Sequence, residues 1–211
     1  VFHHCLNSAV IDEIITSNPM DKIKNEEKPK RRRTERAFLT IDELKILSQT
    51  DFHNATLKKA FLFSCFCGLR HSDIVALTWG NLKKGKVGKM ELHMTQQKTQ
   101  EILSLPLSKE ALKQLPVRGK VPDTEKVFKG LISLGRTNEI LPKWAAKAGI
   151  QKHITFHSAR HTHATMMITL GADLYTVSKL LGHTNIQTTQ IYAKIVDESK
   201  EKAIDLIPDI T

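Results

Sequence analysis

Hydrophobic residues in the middle of the chain recur at the spacing of α-helices. Thr40 followed by Glu43 is a capping-box pattern, which predicts that a helix begins near Ile41. The segment 57–67 is apolar at helical spacing and is followed by Gly68, a residue type that often adopts the left-handed conformation at a helix end. The pattern therefore predicts two successive helices.

A third helix is predicted after a short turn. Ser72 and Asp73 are residue types that favour the first turn of a helix, and the apolar pattern continues to about Trp79. This interpretation places Arg70 in the turn between two helices.

The pattern then changes from helical spacing to alternation. Residues 90–94 alternate between apolar and polar types, and residues 102–107 do so again, which predicts two or three short strands. The polar connection 95–101 predicts a hairpin with Lys98 at its tip.

The other hydrophobic segments again favour helices. They lie around Ala111 and at residues 139–148, 156–170, 174–181 and 186–195, and residues 9–15 are interpreted as the end of a helix closed by Ser17-Asn18-Pro19. The predicted fold class is mainly α with a small antiparallel β-sheet (α+β).

Charge and cysteine usage indicate a partner class and a compartment. The chain has 32 lysines and arginines against 22 acidic residues, a formal net charge of +10, which favours a polyanionic partner such as nucleic acid. No apolar run approaches the roughly 18 residues that cross a bilayer, so no membrane association is expected. Cys65 and Cys67 lie in an apolar helical segment, which favours buried, reduced thiols and a cytoplasmic protein.

A basic linker is predicted near the N-terminus. Residues 21–36 are polar, and a solvated charge run or a nuclear-localisation signal would explain their basic cluster. A further interpretation is DNA-backbone contact by Lys30, Arg31, Arg32 and Arg33. The sequence begins at Val1 without signal-peptide features, so the chain is either processed or an excerpt of a longer protein.

Phosphate-binding residue types recur along the chain and precede a candidate nucleophile. His157 and Arg160 are three apart on a helix that Thr155 is expected to cap, so they share a face. Two guanidinium groups can each bind two phosphate oxygens and stabilise the charge that develops at phosphorus. In chain order the candidates are Arg70, Lys98, His157, Arg160, His183 and Tyr192.

Tyr192 needs a second group before it can react, and Lys98 is a candidate proton donor. A tyrosine hydroxyl, with an ordinary pKa of about 10, attacks poorly at neutral pH unless cations stabilise its anion or a base accepts its proton. His157 and His183 are candidate bases for Tyr192. A lysine on a hairpin is a candidate general acid for a leaving group, and Lys98 occupies such a position.

In this order and spacing the residues resemble the catalytic domain of tyrosine recombinases, the phage-integrase family. The resemblance covers about residues 36–197 and rests on Cys67-Gly-Leu-Arg-His-Ser-Asp73, Arg160-His-Thr162, Gly171, Leu180-Leu-Gly-His183, and Thr188-Thr189 before Tyr192. It implies that Arg70, Arg160, His157 and His183 bind the scissile phosphate, that Tyr192 attacks it, and that Lys98 protonates the leaving group. Ser158-Ala159 departs from the family pattern, in which a bulkier apolar residue is frequent.

The resemblance also implies the function of the whole protein. It implies site-specific recombination of double-stranded DNA through a 3′-phosphotyrosyl intermediate, without metal, ATP or any other cofactor. The implied assembly is a homotetramer on paired DNA sites, helped by accessory DNA-bending proteins, and the implied location is the nucleoid of a bacterial cytoplasm.

Three regions follow from this interpretation. Residues 1–35 are expected to be the end of a preceding core-binding domain plus the basic linker, residues 36–197 the catalytic domain, and residues 198–211 a tail helix. Ala203, Ile207 and Ile210 give that tail one apolar stripe, which packs either on its own domain or on a neighbouring protomer.

Other classes of function have weaker support in the sequence. A zinc hydrolase could use His157 and His161, but Ser158 stands where a zincin has glutamate. A non-catalytic DNA-binding module would not explain a tyrosine after four phosphate-binding groups. A type IB topoisomerase shares the tyrosine chemistry and stays open as an alternative. Tyr175 is a rival nucleophile, for which a packing role is expected.

Overall fold

The computed structural model describes residues 2–24, 27, 36–85 and 88–192. The chain divides into two compact units, residues 1–35 and 36–211. The basic cluster Lys30–Arg33, residues 193–197 and the predicted tail helix 198–211 lie outside the described residues. No helix of the described ranges is long and apolar enough to cross a membrane.

The first unit contains one helix and a helical turn. Helix α1 spans Phe2–Ile11, and a 3₁₀ helix follows at Pro19–Lys22. The expectation that the first helix continues to Ile15 is therefore wrong. Asn18, which was expected to close that helix, instead begins the 3₁₀ helix, because its side chain accepts a hydrogen bond from Met20 N–H at 2.9 Å.

The second unit starts with the elements that the capping patterns predict. Helix α2 spans Ile41–Gln49, and the Thr40 and Glu43 side chains accept hydrogen bonds from each other's backbone N–H groups. Helix α3 spans Ala55–Cys67 and ends at Gly68, whose φ of 74° is in the left-handed region. These predictions are confirmed.

Helix α4 is shorter than the sequence pattern predicts. It spans His71–Ala76, and Asp73 in its first turn accepts a hydrogen bond from the N–H of Arg70. Trp79, the expected end of the helix, instead begins a 3₁₀ turn, Trp79–Asn81. Its backbone N–H donates to the carbonyl of Glu125, so a tertiary contact replaces helical bonding there.

A three-stranded antiparallel sheet follows, in the order β1-β2-β3. Strand β1 spans Leu82–Lys84, β2 Met90–Thr95 and β3 Ile102–Pro106. The turn between β2 and β3 contains Lys98, as the alternation predicts.

Four further helices follow in the described part of this unit. They are α5 (Lys109–Lys113), α6 (Leu134–Lys147), α7 (Phe156–Thr169) and α8 (Leu174–Leu181). Helix α6 begins five residues earlier than expected because Ser133 caps it. The cap of α7 also differs from expectation: the Thr155 hydroxyl caps no backbone N–H, and the Ser158 hydroxyl accepts from Thr155 N–H at 3.0 Å.

The predicted helix 186–195 is wrong over its described part. Residues 186–192 form two 3₁₀ turns, Ile186–Thr188 and Gln190–Tyr192. Short turns of this kind bring Tyr192 back against the preceding helices, where it packs with Ala164 and Val177.

The main core lies around α3, which is buried on almost every side and packs against α7. Its largest fully buried side chains are Trp144, Phe61, Phe63 and Phe156. Cys65 and Cys67 are buried free thiols, as predicted. The C-terminal half of α3 is almost entirely buried, and its end at Gly68 lies against His163 of α7 and Leu181 of α8. This end carries the candidate site.

Candidate active site

Arg160 joins the ends of two helices. Its side chain projects from α7, and only 3% of the residue is exposed. Nη1 donates to the carbonyl of Gly68 at 2.8 Å, and Nη2 donates to the carbonyl of Leu181 at 2.7 Å. These carbonyls lie at the C-terminal ends of α3 and α8, where the helix dipole favours a cation. Burial, with the charge of Arg70, lowers the Arg160 pKa to about 10, so it stays protonated at neutral pH.

Gly68 is required for this close packing. A Cβ on Gly68 would lie 2.8 Å from Leu181 Cδ2 and 2.9 Å from His163 Cδ2. Its φ of +74° is also unfavourable for any residue with a side chain. The glycine therefore lets α3, α7 and α8 meet at the carbonyl that Arg160 binds.

Arg70 has an unused buried donor. Its Nη1 is buried without a hydrogen-bond partner and lies 3.9 Å from Asp73 Oδ2. Unpaired buried donors are uncommon in folded proteins. The group is therefore available to an anion that enters beside Arg160.

The hairpin that carries Lys98 is fixed at its base. The N–H of Gln97 donates to Asp73 Oδ1 at 2.8 Å, which joins the hairpin to α4. The buried Gln96 donates from Nε2 to the Leu181 carbonyl at 3.1 Å, and its Oε1 accepts from Thr99 Oγ1 at 2.9 Å. Lys98 itself is exposed, so a fixed hairpin presents a solvated ammonium group.

His157 lies in the first turn of α7, near a group of cations. Part of the residue is exposed, but the surrounding protein removes water from the ring and lowers its pKa to about 4. The positive charges of four residues add to this effect; they belong to Arg160, Arg36, Arg70 and Lys98. His157 is therefore neutral at pH 7.

His183 occupies the turn after α8, where the sequence predicts it. Gly182 ends the helix with a φ of 63°, and His183 Nδ1 lies 2.8 Å from Thr189 Oγ1. Burial and the charges of Arg160 and Arg70 lower the His183 pKa to about 4. His183 is thus a second neutral imidazole beside the arginines.

Tyr192 is held between an apolar cluster and the polar site. It is 6% exposed and packs with Ala164, Ile168, Val177 and Leu181. Its hydroxyl lies 2.6 Å from His161 Nδ1. Burial raises the Tyr192 pKa to about 12, although Arg160 and Arg36 oppose this effect, so the hydroxyl is protonated at neutral pH.

Tyr175 does not belong to this arrangement. It is 61% exposed, so the expected packing role is wrong. The ammonium of Lys179 lies 5.3 Å from its ring centroid, and both residues are exposed on α8. Tyr192 is the one of the two that the fold encloses with Arg160.

The structure thus brings Arg70, Lys98, His157, Arg160, His183 and Tyr192 to one region of the second unit. Sequence reasoning missed three of their neighbours: His161, Gln96 and Arg36. The position of His161, one helical turn after His157, indicates that the two rings share a face, but this spacing does not connect His161 with Tyr192. Gln96 and Arg36 have no local motif that could have identified them.

Comparisons with known proteins give the family. Residues 37–199 match the model of the phage integrase family. The chain is 30% identical over 203 residues to a tyrosine recombinase of Pseudothermotoga lettingae, and the match covers 94% of this chain and 69% of the relative. It is also 30% identical over 207 residues to the tyrosine recombinase XerC of Caldanaerobacter subterraneus subsp. tengcongensis, covering 93% and 57% of the two chains.

Solved structures show the same fold. A lambda integrase dimer bound to a COC′ core site has a TM-score of 0.69 and 21% identity, with 90% of this chain and 69% of that chain covered. The XerA recombinase has a TM-score of 0.64 and 20% identity, with 87% and 70% covered. The chain belongs to the phage integrase family, the tyrosine recombinases that cleave and rejoin DNA.

Proposed function

We propose that this chain is a site-specific recombinase whose nucleophile is Tyr192. The observation that carries the proposal is the position of the Tyr192 hydroxyl: it is enclosed beside Arg160, and the charges of Arg160 and Arg36 act directly on its ionisation. Close to Arg160, Arg70 contributes a buried Nη1 that has no hydrogen-bond partner. A phosphodiester would satisfy that donor and offset the clustered positive charge.

The proposed reaction forms one phosphorus–oxygen bond and breaks another. The Tyr192 hydroxyl gives up its proton to a neighbouring histidine, and its oxygen attacks the scissile phosphate, which Arg70, Arg160, His157 and His183 hold. The bond to the 5′-oxygen breaks, and Lys98 donates a proton to that oxygen. The 3′-phosphotyrosyl bond retains the energy of the broken ester, so a 5′-hydroxyl of a partner strand reverses the step without ATP or metal.

The larger assembly follows as part of the same proposal. Double-stranded DNA is the partner; a related fold is the Tn1549 transposon integrase in complex with circular intermediate DNA. Residues 36–197 act as the catalytic domain, residues 1–35 as the end of a core-binding domain and linker, and residues 198–211 as a tail. Four copies act on two DNA sites with DNA-bending proteins, in the bacterial cytoplasm at the nucleoid.

A covalent capture experiment tests this proposal. The chain is incubated with a random-sequence library of nicked duplexes, in which a cleaved short strand diffuses away, and denaturation-resistant complexes are sequenced. We expect an adduct at recurring DNA sites, and peptide mapping of the adduct should identify Tyr192 as the linked residue.

Two variants serve as controls for this experiment. Tyr192→Phe should abolish the adduct, and Tyr175→Phe should retain it. Adducts in the first variant but not in the second would contradict the assignment, and relaxation of supercoils without strand exchange would favour a topoisomerase.

A further inference from the structure

His161 is the residue in direct contact with the proposed nucleophile. Its Nδ1 lies 2.6 Å from the Tyr192 hydroxyl oxygen, and His161 is only 5% exposed. The two rings are tilted by 57° with centroids 5.9 Å apart, so the contact is a hydrogen bond and not a stacked pair. His157 and His183, the bases that the sequence suggests, have no hydrogen bond to Tyr192 among the contacts of the described residues.

The direction of this hydrogen bond follows from the chemistry of the two groups. A phenol O–H is a stronger donor than the N–H of a neutral imidazole, and a neutral imidazole has one nitrogen that only accepts. The favourable arrangement therefore has the Tyr192 O–H donating to an unprotonated His161 Nδ1, with the imidazole proton on Nε2.

We propose that His161 is a further catalytic residue of this site and is the base that accepts the phenolic proton of Tyr192. In the cleavage step the O–H bond of Tyr192 breaks and its proton moves to His161 Nδ1, which gives an imidazolium. The Tyr192 oxygen forms the bond to phosphorus while the 5′-oxygen leaves with a proton from Lys98. In the rejoining step a 5′-hydroxyl gives its proton to the neutral Lys98 amine and attacks phosphorus. The bond between phosphorus and the Tyr192 oxygen breaks, and His161 returns its proton to that oxygen. This inference rests on the proposed function.

The charges around His161 make this transfer depend on the substrate. The groups that face it are His157 and Arg160 on its own helix, His183 after α8, Arg36 before α2, and Tyr192 itself. Burial, with smaller contributions from His157, Arg36, Arg160 and His183, lowers the His161 pKa to about 3. Without DNA, both partners therefore stay neutral and the nucleophile is inactive.

A bound phosphodiester changes this balance. Its negative charge offsets the fields of Arg160 and Arg36, which are part of the reason that His161 resists protonation. The negative charge of the phosphodiester also disfavours a free tyrosinate anion beside it. The proton therefore moves to His161 as the Tyr192 oxygen bonds to phosphorus. The site thus keeps Tyr192 protonated until a phosphate is in place.

The tautomer of His161 gives a test that needs no DNA. In the uniformly ¹⁵N-labelled chain, the His161 ring signals are assigned by their loss in His161→Asn. We expect an unprotonated, hydrogen-bonded Nδ1 and a protonated Nε2, and we expect the Nδ1 shift to change in Tyr192→Phe. A protonated Nδ1, or a shift that Tyr192→Phe does not alter, would overturn the proposal.

Single-turnover cleavage then separates a base from a positioning group. His161→Asn keeps a hydrogen-bonding group near Nδ1 but cannot take up a proton, and His161→Leu removes both properties. With nicked duplexes selected by the wild-type chain, we expect both variants to lose roughly 10²- to 10⁴-fold in the rate of adduct formation. Imidazole added to His161→Ala should restore part of the rate.

The controls distinguish the possible failures. His153→Asn, at an exposed position before α7, should cleave at the wild-type rate. A normal rate in His161→Asn with a loss only in His161→Leu would reduce His161 to a positioning residue, and normal rates in both would remove it from the mechanism. If the wild-type chain itself forms no adduct, the proposed function fails and the tautomer result still stands.

Discussion

The carboxylate of Asp73 accepts a hydrogen bond from the backbone N–H of Gln97, at 2.8 Å. This bond ties the hairpin that carries Lys98 to the helix that Arg70 begins. The other carboxylate oxygen lies 3.3 Å from Arg70 N and 3.9 Å from its Nη1. The fully buried carboxylate of Asp73 therefore fixes the position of Arg70, a proposed phosphate-binding residue, relative to Lys98, the proposed general acid.

Replacing Asp73 by asparagine should weaken the link between the hairpin and the helix. The amide has one acceptor oxygen, so one of the two backbone N–H groups loses its partner, at a cost of roughly 1–3 kcal/mol in the free energy of unfolding. Urea denaturation measures this loss, and adduct formation should fall with it. Asp123→Asn, which removes an exposed ion pair with Arg118, should cost about 0–1 kcal/mol. Equal, small losses in both variants would contradict the structural role of Asp73.

Gly68→Ala should be more damaging than the same change at another left-handed glycine. Gly171 has a φ of +93° and open space around its Cβ position, so Gly171→Ala should cost only the backbone strain, about 1–2 kcal/mol. At Gly68 the added methyl also meets Leu181 and His163 and displaces the carbonyl that binds Arg160. Thermal unfolding should show the larger loss in Gly68→Ala, and adduct formation should fall in that variant alone. Similar losses in both variants would argue against the tight packing.

The stability of the fold should decrease in mild acid. Folding lowers the pKa of His157, His163 and His183 to about 4, from an ordinary value of about 6.5. Between these two pKa values the unfolded chain therefore binds protons that the folded chain does not. The contribution of the three neutral rings to the free energy of unfolding is complete above about pH 6.5 and is lost as the pH falls toward 4.

Urea denaturation between about pH 7.5 and pH 5 measures this slope. His163→Leu removes one buried ring that titrates, so its slope should be shallower by up to about 1.4 kcal/mol per pH unit. Leucine also removes the unpaired Nε2 of His163 from the interior. An unchanged slope in this variant would show that His163 is not the neutral, buried group that the structure describes.

Local sequence patterns predicted the elements that are fixed by local bonds. The Thr40–Glu43 capping box, the left-handed Gly68 and the hairpin around Lys98 all depend on residues within a few positions of one another. At Trp79 the prediction failed because a distant contact decides the structure. Trp79 leaves the helical pattern to bond with Glu125, which lies far along the chain.

The same distinction applies to the site. Spacing identified His157 and Arg160 because both lie on one helix, and the family resemblance identified Tyr192. The partner of Tyr192 was not predicted, because two 3₁₀ turns, and not the expected helix, bring its hydroxyl to His161. Likewise, no spacing rule connects Gln96 to the Leu181 carbonyl, which is 85 residues away.

Adduct formation should persist in excess EDTA. The charges of Arg36, Arg70 and Arg160 already lower the pKa values of the histidines around Tyr192, and a divalent cation in the same place would be repelled by them. The rate of covalent capture with and without EDTA checks this expectation. Loss of capture that returns on addition of Mg²⁺ or Zn²⁺ would contradict it.

Lys98→Ala should slow cleavage when the leaving atom is oxygen, and much less when it is sulfur. An exposed lysine on a fixed hairpin can approach the 5′-oxygen, and a positioned acid typically contributes roughly 10²- to 10⁴-fold. A substrate with sulfur at the 5′-bridging position has a leaving group that needs no proton, so the variant should cleave it almost as fast as the wild-type chain does. Lys113→Ala, which changes an exposed lysine on α5, should cleave both substrates normally. Equal defects of Lys98→Ala on the oxygen and sulfur substrates would mean that Lys98 binds DNA but does not donate the proton, because only proton donation depends on the leaving atom.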